Sequence, residues 1–131
     1  MVYQWVDHTA ELQLHIAAPD EAAVFEEALR AFHELIADGT TGDHVSFDVQ
    51  LASADRATLL VRWLDELVYR AETEDLVPED LERLELNADG LVATVRAHRG
   101  APRHLVKGVT YHELAFDGGA QGYRATVVLD V

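Results

Sequence analysis

Cysteine is absent from this chain of 131 residues. Without a thiol the protein has no disulfide, no zinc–thiolate site and no cysteine nucleophile. Lysine occurs once, at Lys107, and 24 acidic residues face 10 basic ones, which gives a formal net charge of -14. Because binding to a phosphate backbone depends on lysine and arginine releasing counterions, this balance predicts no tight, direct binding of nucleic acid.

Long hydrophobic runs are also missing. No apolar stretch approaches the ~18 residues of a membrane span, and Met1 opens directly onto a strand-like segment rather than a secretion signal. We therefore expect a cytoplasmic protein that has no membrane segment. A length of 131 residues with 49% apolar content fits a single domain with an ordinary core.

Two segments repeat apolar residues with the 3.6-residue period of a helix packed on a sheet. The first begins after Asp20, which is placed to cap the helix, and Gly39 is placed to close it. The second is predicted over about Ala54 to Thr73, with Ser53 as its cap. Pro78 then marks a predicted break in regular structure.

The remaining apolar segments alternate with period 2, which indicates half-buried strands. Most follow one another through hairpins, and the clearest hairpin signal is Asn87-Ala88-Asp89-Gly90. The predicted class is therefore α+β, a single domain over residues 1–131 with a mostly antiparallel sheet and two main helices. We also expect the last strand, Tyr123 to Val131, to lie beside the first, Val2 to Val6, so that the two ends of the chain meet.

Acidic residues are concentrated at the ends of the first, second and last predicted strands. Asp7 follows the first strand, Glu11 precedes the second, and Asp130 lies one residue before the terminal carboxylate of Val131. If the first and last strands are neighbours, these carboxylates converge and repel one another unless a cation neutralises them. Oxygen ligands of this type suit Mg²⁺, Ca²⁺ or Mn²⁺. Acids at strand ends are more commonly solvated or capping, so their spacing leaves that alternative open.

Motifs for phosphate loops and for serine nucleophiles are absent. The chain contains no G-x-x-x-x-G-K-[ST] and no G-x-S-x-G, and its seven histidines lack the i, i+4 spacing of a zinc protease. Basic residues cluster in residues 96–107, a stretch without acids that contains Arg103 and Lys107. Such a stretch suits an acidic protein surface or one phosphate group, or is an ordinary solvated loop.

Four blocks of the sequence together resemble the archease family. They are D-H-T-A-E at Asp7 to Glu11, W-L-D-E-L-V-Y at Trp63 to Tyr69, K-G-V-T-Y-H-E-L at Lys107 to Leu114, and the terminal G-Y-R-A-T-V-V-L-D-V. The blocks occur in the family's order and cover nearly the whole chain. The resemblance implies an α+β fold built on a strand–helix–strand–strand (SHS2-like) unit with an inserted β-rich segment.

The resemblance also implies a function. Archeases assist the RtcB-type RNA ligase, which uses GTP and Mn²⁺ to join a 3′-phosphate or 2′,3′-cyclic phosphate to a 5′-hydroxyl in tRNA splicing or RNA repair. The helper promotes transfer of GMP to the ligase's catalytic histidine and sustains multiple turnovers without being a ligase itself. Two competing hypotheses are a small metal-dependent phosphoester hydrolase that uses the same acids, and a plain interaction domain.

The cation site of the family is associated with the acids that match Asp7 and Asp130 here. The carboxylate of Val131 is a companion, and His8 and Glu11 are assigned to the surroundings of the site. The first block usually reads D-H-T-A-D, whereas this chain has Glu11 at the last position. The extra methylene displaces that carboxylate, so direct ligation of the cation by Glu11 is left open.

Lys107 and His112 match family positions in the third block. The resemblance places both residues near the interface with the ligase. An acidic helper needs no affinity for phosphate of its own, and its charge steers it towards a ligase whose RNA-binding surface is basic.

Overall fold

The computed structural model describes residues 1–8, 11–39, 41–103 and 106–131, without the side chains of Asp7 and His8. Its elements in chain order are β1 (Val2–His8), β2 (Glu11–Ala18), α1 (Glu21–Ile36), β3 (His44–Ala52), α2 (Arg56–Glu74), β4 (Leu76–Asn87), β5 (Gly90–Arg99), β6 (Gly108–Gly119) and β7 (Gly122–Asp130). Within these described ranges, neither helix combines the length and the apolar character that crossing a bilayer requires.

The strands form two antiparallel sheets. The first sheet has the order β1-β2-β7-β6, and the second has the order β3-β5-β4. β2, α1, β6 and β7 make the strand–helix–strand–strand unit, while β3, α2, β4 and β5 are inserted between α1 and β6. The predicted α+β class, with two main helices and antiparallel pairing, is confirmed, and the inserted segment forms a sheet of its own.

One continuous core joins the helices to both sheets, since each helix contacts strands of both. Alternate residues of β2 and β7, such as Leu14, Val127 and Leu129, are fully buried, because successive side chains of a strand point to opposite faces. On α2, Trp63 is fully buried and its Nε1 donates to the carbonyl oxygen of Phe25 at 3.0 Å. Full burial contributes about 1.5–3 kcal/mol for each large apolar side chain.

Both helices begin at an aspartate whose carboxylate accepts a backbone hydrogen bond. Asp20 caps α1 as predicted and accepts from the amide of Ala23 at 2.8 Å. The predicted cap of α2, Ser53, is wrong, because Asp55 accepts from the amide of Thr58 at 3.1 Å while Ser53 donates to the Asp55 carbonyl. A carboxylate is the stronger acceptor for the free amides at a helix start.

The end of α1 differs from the prediction that Gly39 closes it. The helix ends at Ile36 with Ala37 as an extended C-cap, and Gly39 takes its positive φ of 88° two residues later. Arg103 satisfies the last carbonyls instead: its amide donates to residue 36 at 2.7 Å, and its guanidinium to residues 34 and 35 at 3.1 and 3.2 Å. One member of the basic stretch is thus committed to the fold, where a cation also suits the helix dipole.

The predicted break in regular structure at Pro78 is wrong, because Pro78 lies inside β4. This strand is at the edge of the second sheet, where a residue without an amide hydrogen is tolerated. The register shifts twice along β4, first between Pro78 and Asp80. The predicted hairpin over residues 87–90 is confirmed, and Gly90 is required there because a Cβ atom would collide with the Leu51 carbonyl oxygen.

A carboxylate–imidazole contact ties the strands of the second sheet together. His98 is 3% exposed, with its Nδ1 2.7 Å from Oε1 of Glu79, and His44 Nε2 is 3.2 Å from the same oxygen. Burial raises the pKa of Glu79, but the His98 hydrogen bond and the charges of His44, His98 and Arg96 outweigh it and leave the pKa lowered. A carboxyl group of this kind contributes stability above its unfolded pKa, and that stability is lost as pH falls through the folded pKa.

We expect Glu79→Gln to lower the free energy of unfolding by about 1–2 kcal/mol at neutral pH, because a hydrogen bond to a charged group is weakened. The difference from wild type should shrink as pH falls below the unfolded-state pKa of about 4.3 and through the lower pKa of the folded carboxylate, where wild-type Glu79 is protonated as well. Urea unfolding across this pH range measures it. Glu85→Gln is the control, because Glu85 is exposed on the same strand and pairs with Arg83 in solvent. Two results would contradict a stabilising role of the Glu79 carboxylate: an equal loss of unfolding free energy in both variants, or a loss in Glu79→Gln that does not change with pH.

Candidate cation site at the end of the first sheet

Backbone pairing aligns four residues across the end of the first sheet. His8 pairs with Glu11, Glu11 with Asp130, and Asp130 with Gly108. We call these four residues the terminal row. Asp7 belongs to the adjacent row, which passes through Leu12 and Leu129. The side chains of Asp7 and His8 lie outside the described residues, so the structure places these two by backbone alone.

The first and last strands share this sheet but are not adjacent, because β2 lies between them. A strand spacing of about 4.8 Å separates the backbones of β1 and β7 by about 10 Å. The condition that the two strands are neighbours is therefore not met. The connection between β1 and β2 is short, so these two strands pair with each other. β7 then pairs with the other edge of β2.

Glu11 and Asp130 directly oppose each other on neighbouring strands. Both are half-buried, and neither carboxylate has a hydrogen-bond or ion-pair partner among the described residues. Opposed residues of antiparallel strands bring their Cβ atoms within about 5 Å, and like charges in that position are destabilising. Glu11 is thus nearer to Asp130 across the sheet than Asp7 is. The carboxylate oxygens of Glu11 are ligands that suit a hard cation.

Val131 holds the terminal carboxylate beside the terminal row, since its half-buried side chain packs against the core. The described side chains contain no group of three histidines or acids positioned around one metal ion. The predicted ligands are Asp7, Asp130 and Val131, and the side chain of Asp7 lies outside the described residues. The set therefore remains a prediction, with Glu11 as the acid nearest to Asp130 by register.

Two acids of α2 position the segment that carries Lys107. Glu72 accepts from the amide of Val106 at 3.3 Å. Partial burial raises the pKa of Asp65, although a hydrogen bond from the Val109 amide opposes that rise. The two acids are seven residues apart and therefore lie on one helix face. Lys107 between these anchors is exposed, and its amide donates to the Asp130 carbonyl at 2.8 Å.

Asp65 and Glu72 were missed by sequence reasoning as positioning residues. Asp65 is part of the W-L-D-E-L-V-Y block, so a signal for it was present. Their role depends on α2 packing against β6, a contact between elements far apart in the chain.

His112 lies where β6 leaves its partner strand. The pairing of β6 with β7 is interrupted between Thr110 and Ala115, and the His112 side chain is 65% exposed in that interval. Lys107 and His112 are therefore both at the surface on the β6 side of the terminal row. Their expected place at a ligase interface remains a prediction.

Residues 3–131 match the model of one protein family, described as the Archease protein family (MTH1598/TM1083). The chain belongs to the archease family. It is 30% identical over 138 residues to the protein archease of Archaeoglobus fulgidus, with all of both chains covered. It is also 32% identical to the probable protein archease of Mycobacterium tuberculosis, over 96% of this chain and 73% of that one. The resemblance carried by the four sequence blocks is confirmed.

Solved archease structures share this fold. The solution structure of protein 1598 from Methanobacterium thermoautotrophicum has a TM-score of 0.75 at 28% identity and covers 98% of each chain. The crystal structure of an archease from Thermotoga maritima, described as a possible chaperone, has a TM-score of 0.66 and covers 100% of this chain and 98% of that one. At 19% identity the second likeness supports the fold alone.

The archease-like blocks meet at one end of the first sheet. The first block contributes His8 and Glu11 to the terminal row, and the last contributes Asp130. The third block begins beside Asp130 at Lys107, and the α2 block reaches it through Asp65. Segments that are far apart in the archease chain thus converge on the candidate cation site.

Proposed function

We propose that this archease-family chain is a non-catalytic protein cofactor of an RtcB-type, GTP-dependent RNA ligase. It stimulates guanylylation of the ligase and sustains multiple turnovers in tRNA splicing or RNA repair. The observation that carries the proposal is the terminal row, where Glu11 directly opposes Asp130. Half-buried carboxylates without partners among the described residues favour a site completed by another charged group.

The group that completes this site is a divalent cation, Ca²⁺, Mg²⁺ or Mn²⁺. Asp7, Asp130 and the carboxylate of Val131 are its proposed ligands, and Glu11 supplies a further oxygen donor next to Asp130. A cation at a ligase interface supplies charge that offsets the negative charge of transferred phosphates. The chain's own contribution is to hold carboxylate oxygens together at one end of the sheet.

The protein's charge supports a protein partner rather than RNA. A net charge of -14 opposes phosphate binding and attracts the basic surface of an RNA-binding enzyme. Lys107 and His112, exposed on the β6 side of the terminal row, are the proposed interface residues. Lys107 is the chain's single lysine and supplies positive charge beside the acids.

A turnover assay tests this function. The purified chain is incubated with GTP, Mn²⁺ and an RNA carrying a 3′-phosphate, with and without the ligase, and guanylylated ligase and joined RNA are measured. We expect the chain alone to be inactive and to raise both products when the ligase is present at low amounts. Phosphate release by the chain alone, without an effect on guanylylation, would favour the metal-dependent phosphoester hydrolase instead.

A further inference from the structure

Four residues of β6 leave the strand pairing beside the terminal row. Residues 111–114 have no register partner on β7, and we call them the β6 bulge. Within it Glu113 adopts a φ of 55°, a left-handed conformation that is strained for a residue with a side chain. Strained backbone persists when surrounding contacts hold it, and it is concentrated at functional sites.

A contact across the sheet holds the β6 bulge in place. The Nε2 of Gln13 on β2 donates to Oε2 of Glu113 at 2.9 Å, although β7 separates the two strands. Gln13 pairs with Val128 of β7, so the hydrogen bond between Gln13 and Glu113 passes over Val128. This explains why Val128 is fully buried although it is on the sheet face opposite the core residues Val127 and Leu129.

The bulge presents an aromatic side chain to solvent. Tyr111 is 60% exposed, which makes it one of the most exposed large apolar side chains among the described residues. A second hydrogen bond, from the His112 amide to Oγ1 of Thr110 at 3.2 Å, fixes the backbone next to it. A backbone held in its bound conformation lowers the ordering cost of binding, and tyrosine is enriched among the residues that dominate interface energies.

We propose that the β6 bulge is a preformed docking element for the ligase and that Tyr111 is its anchor. This inference rests on the proposed function and names the surface through which it acts. The β6 side of the sheet is acidic: Glu113 lies within the bulge, and Asp130, which pairs with Gly108 of β6, opposes Glu11 at the end of the sheet. The complementary partner is therefore a surface of the ligase that offers lysine or arginine around an apolar pocket.

Binding of immobilised ligase by wild type and three variants tests the docking element. Tyr111→Ala removes the anchor, and Gln13→Met removes the hydrogen bond that holds Glu113 while keeping a side chain of similar length. Tyr69→Ala is the matched control, since Tyr69 is 52% exposed on α2 beside Leu51 of the second sheet. Divalent-cation affinity, oligomeric state and unfolding are measured on the same samples.

We expect Tyr111→Ala to weaken ligase binding by about tenfold or more, Gln13→Met to weaken it by less, and Tyr69→Ala to match wild type. Cation affinity should be unchanged in Tyr111→Ala. If wild type binds the ligase and Tyr111→Ala binds equally well, this inference is overturned while the proposed function survives. If wild type neither binds nor stimulates the ligase, both are overturned. A change of oligomeric state with ligase affinity unchanged would assign the bulge to contacts between copies of the chain instead.

Discussion

Asp130→Ala should leave the domain folded and abolish its stimulation of the ligase. The Asp130 carboxylate has no partner among the described residues and directly opposes Glu11, so removing it relieves repulsion rather than breaking a contact. Wild type should gain about 2.7 kcal/mol of stability at a cation concentration one hundred times the Kd, and the variant should gain none. Urea unfolding with and without Mn²⁺, and ligase guanylylation, measure these effects. Asp7→Ala is expected to behave in the same way.

Asp117→Ala is the matched control for this experiment. It removes the same charge from β6, but at an exposed position that pairs with Arg124 towards the opposite end of the sheet. The control should retain both the stabilisation by cation and the stimulation of the ligase. Loss of folding in Asp130→Ala would make the acid structural, and full stimulation by that variant would remove it from the site.

Trp63→Ala should lower the free energy of unfolding by about 3–5 kcal/mol, as truncation of large buried aromatic residues does. Trp63 is fully buried, contacts the Phe25 ring edge-on at a centroid distance of 6.5 Å, and donates to the Phe25 carbonyl. Because domains of this type are stable by only about 5–15 kcal/mol, the variant loses a large share of its stability. The shift of the urea midpoint measures the loss.

Two conservative variants separate the hydrogen bond from the packing. Trp63→Phe loses the bond to the Phe25 carbonyl and should cost about 1 kcal/mol or more. Trp5→Phe should cost less, since the buried Nε1 of Trp5 has no hydrogen-bond partner among the described residues. If Trp5→Phe is as destabilising as Trp63→Phe, the loss reflects ring volume and not the hydrogen bond. A small loss in Trp63→Ala would contradict its place at the centre of the core.

Local sequence patterns were sufficient to predict much of this fold. The apolar periods located both helices and the alternating strands, because each period matches the geometry of one kind of backbone, but they missed the first part of β4 around Pro78. Asp20 and the turn at residues 87–90 were readable because a cap and a tight turn depend on near neighbours. The errors at Ser53 and Gly39 arose where two residues competed for one role, or where a distant one, Arg103, took it.

The arrangement of the candidate site was decided by the tertiary structure. The sequence contains the acids, but the placement of β2 between β1 and β7 makes Glu11 the direct opposite of Asp130. The same holds for Asp65 and Glu72, which reach the segment around Lys107 through packing of α2 on β6. Strand order and helix packing depend on how the whole core is buried, a global quantity that no local pattern carries.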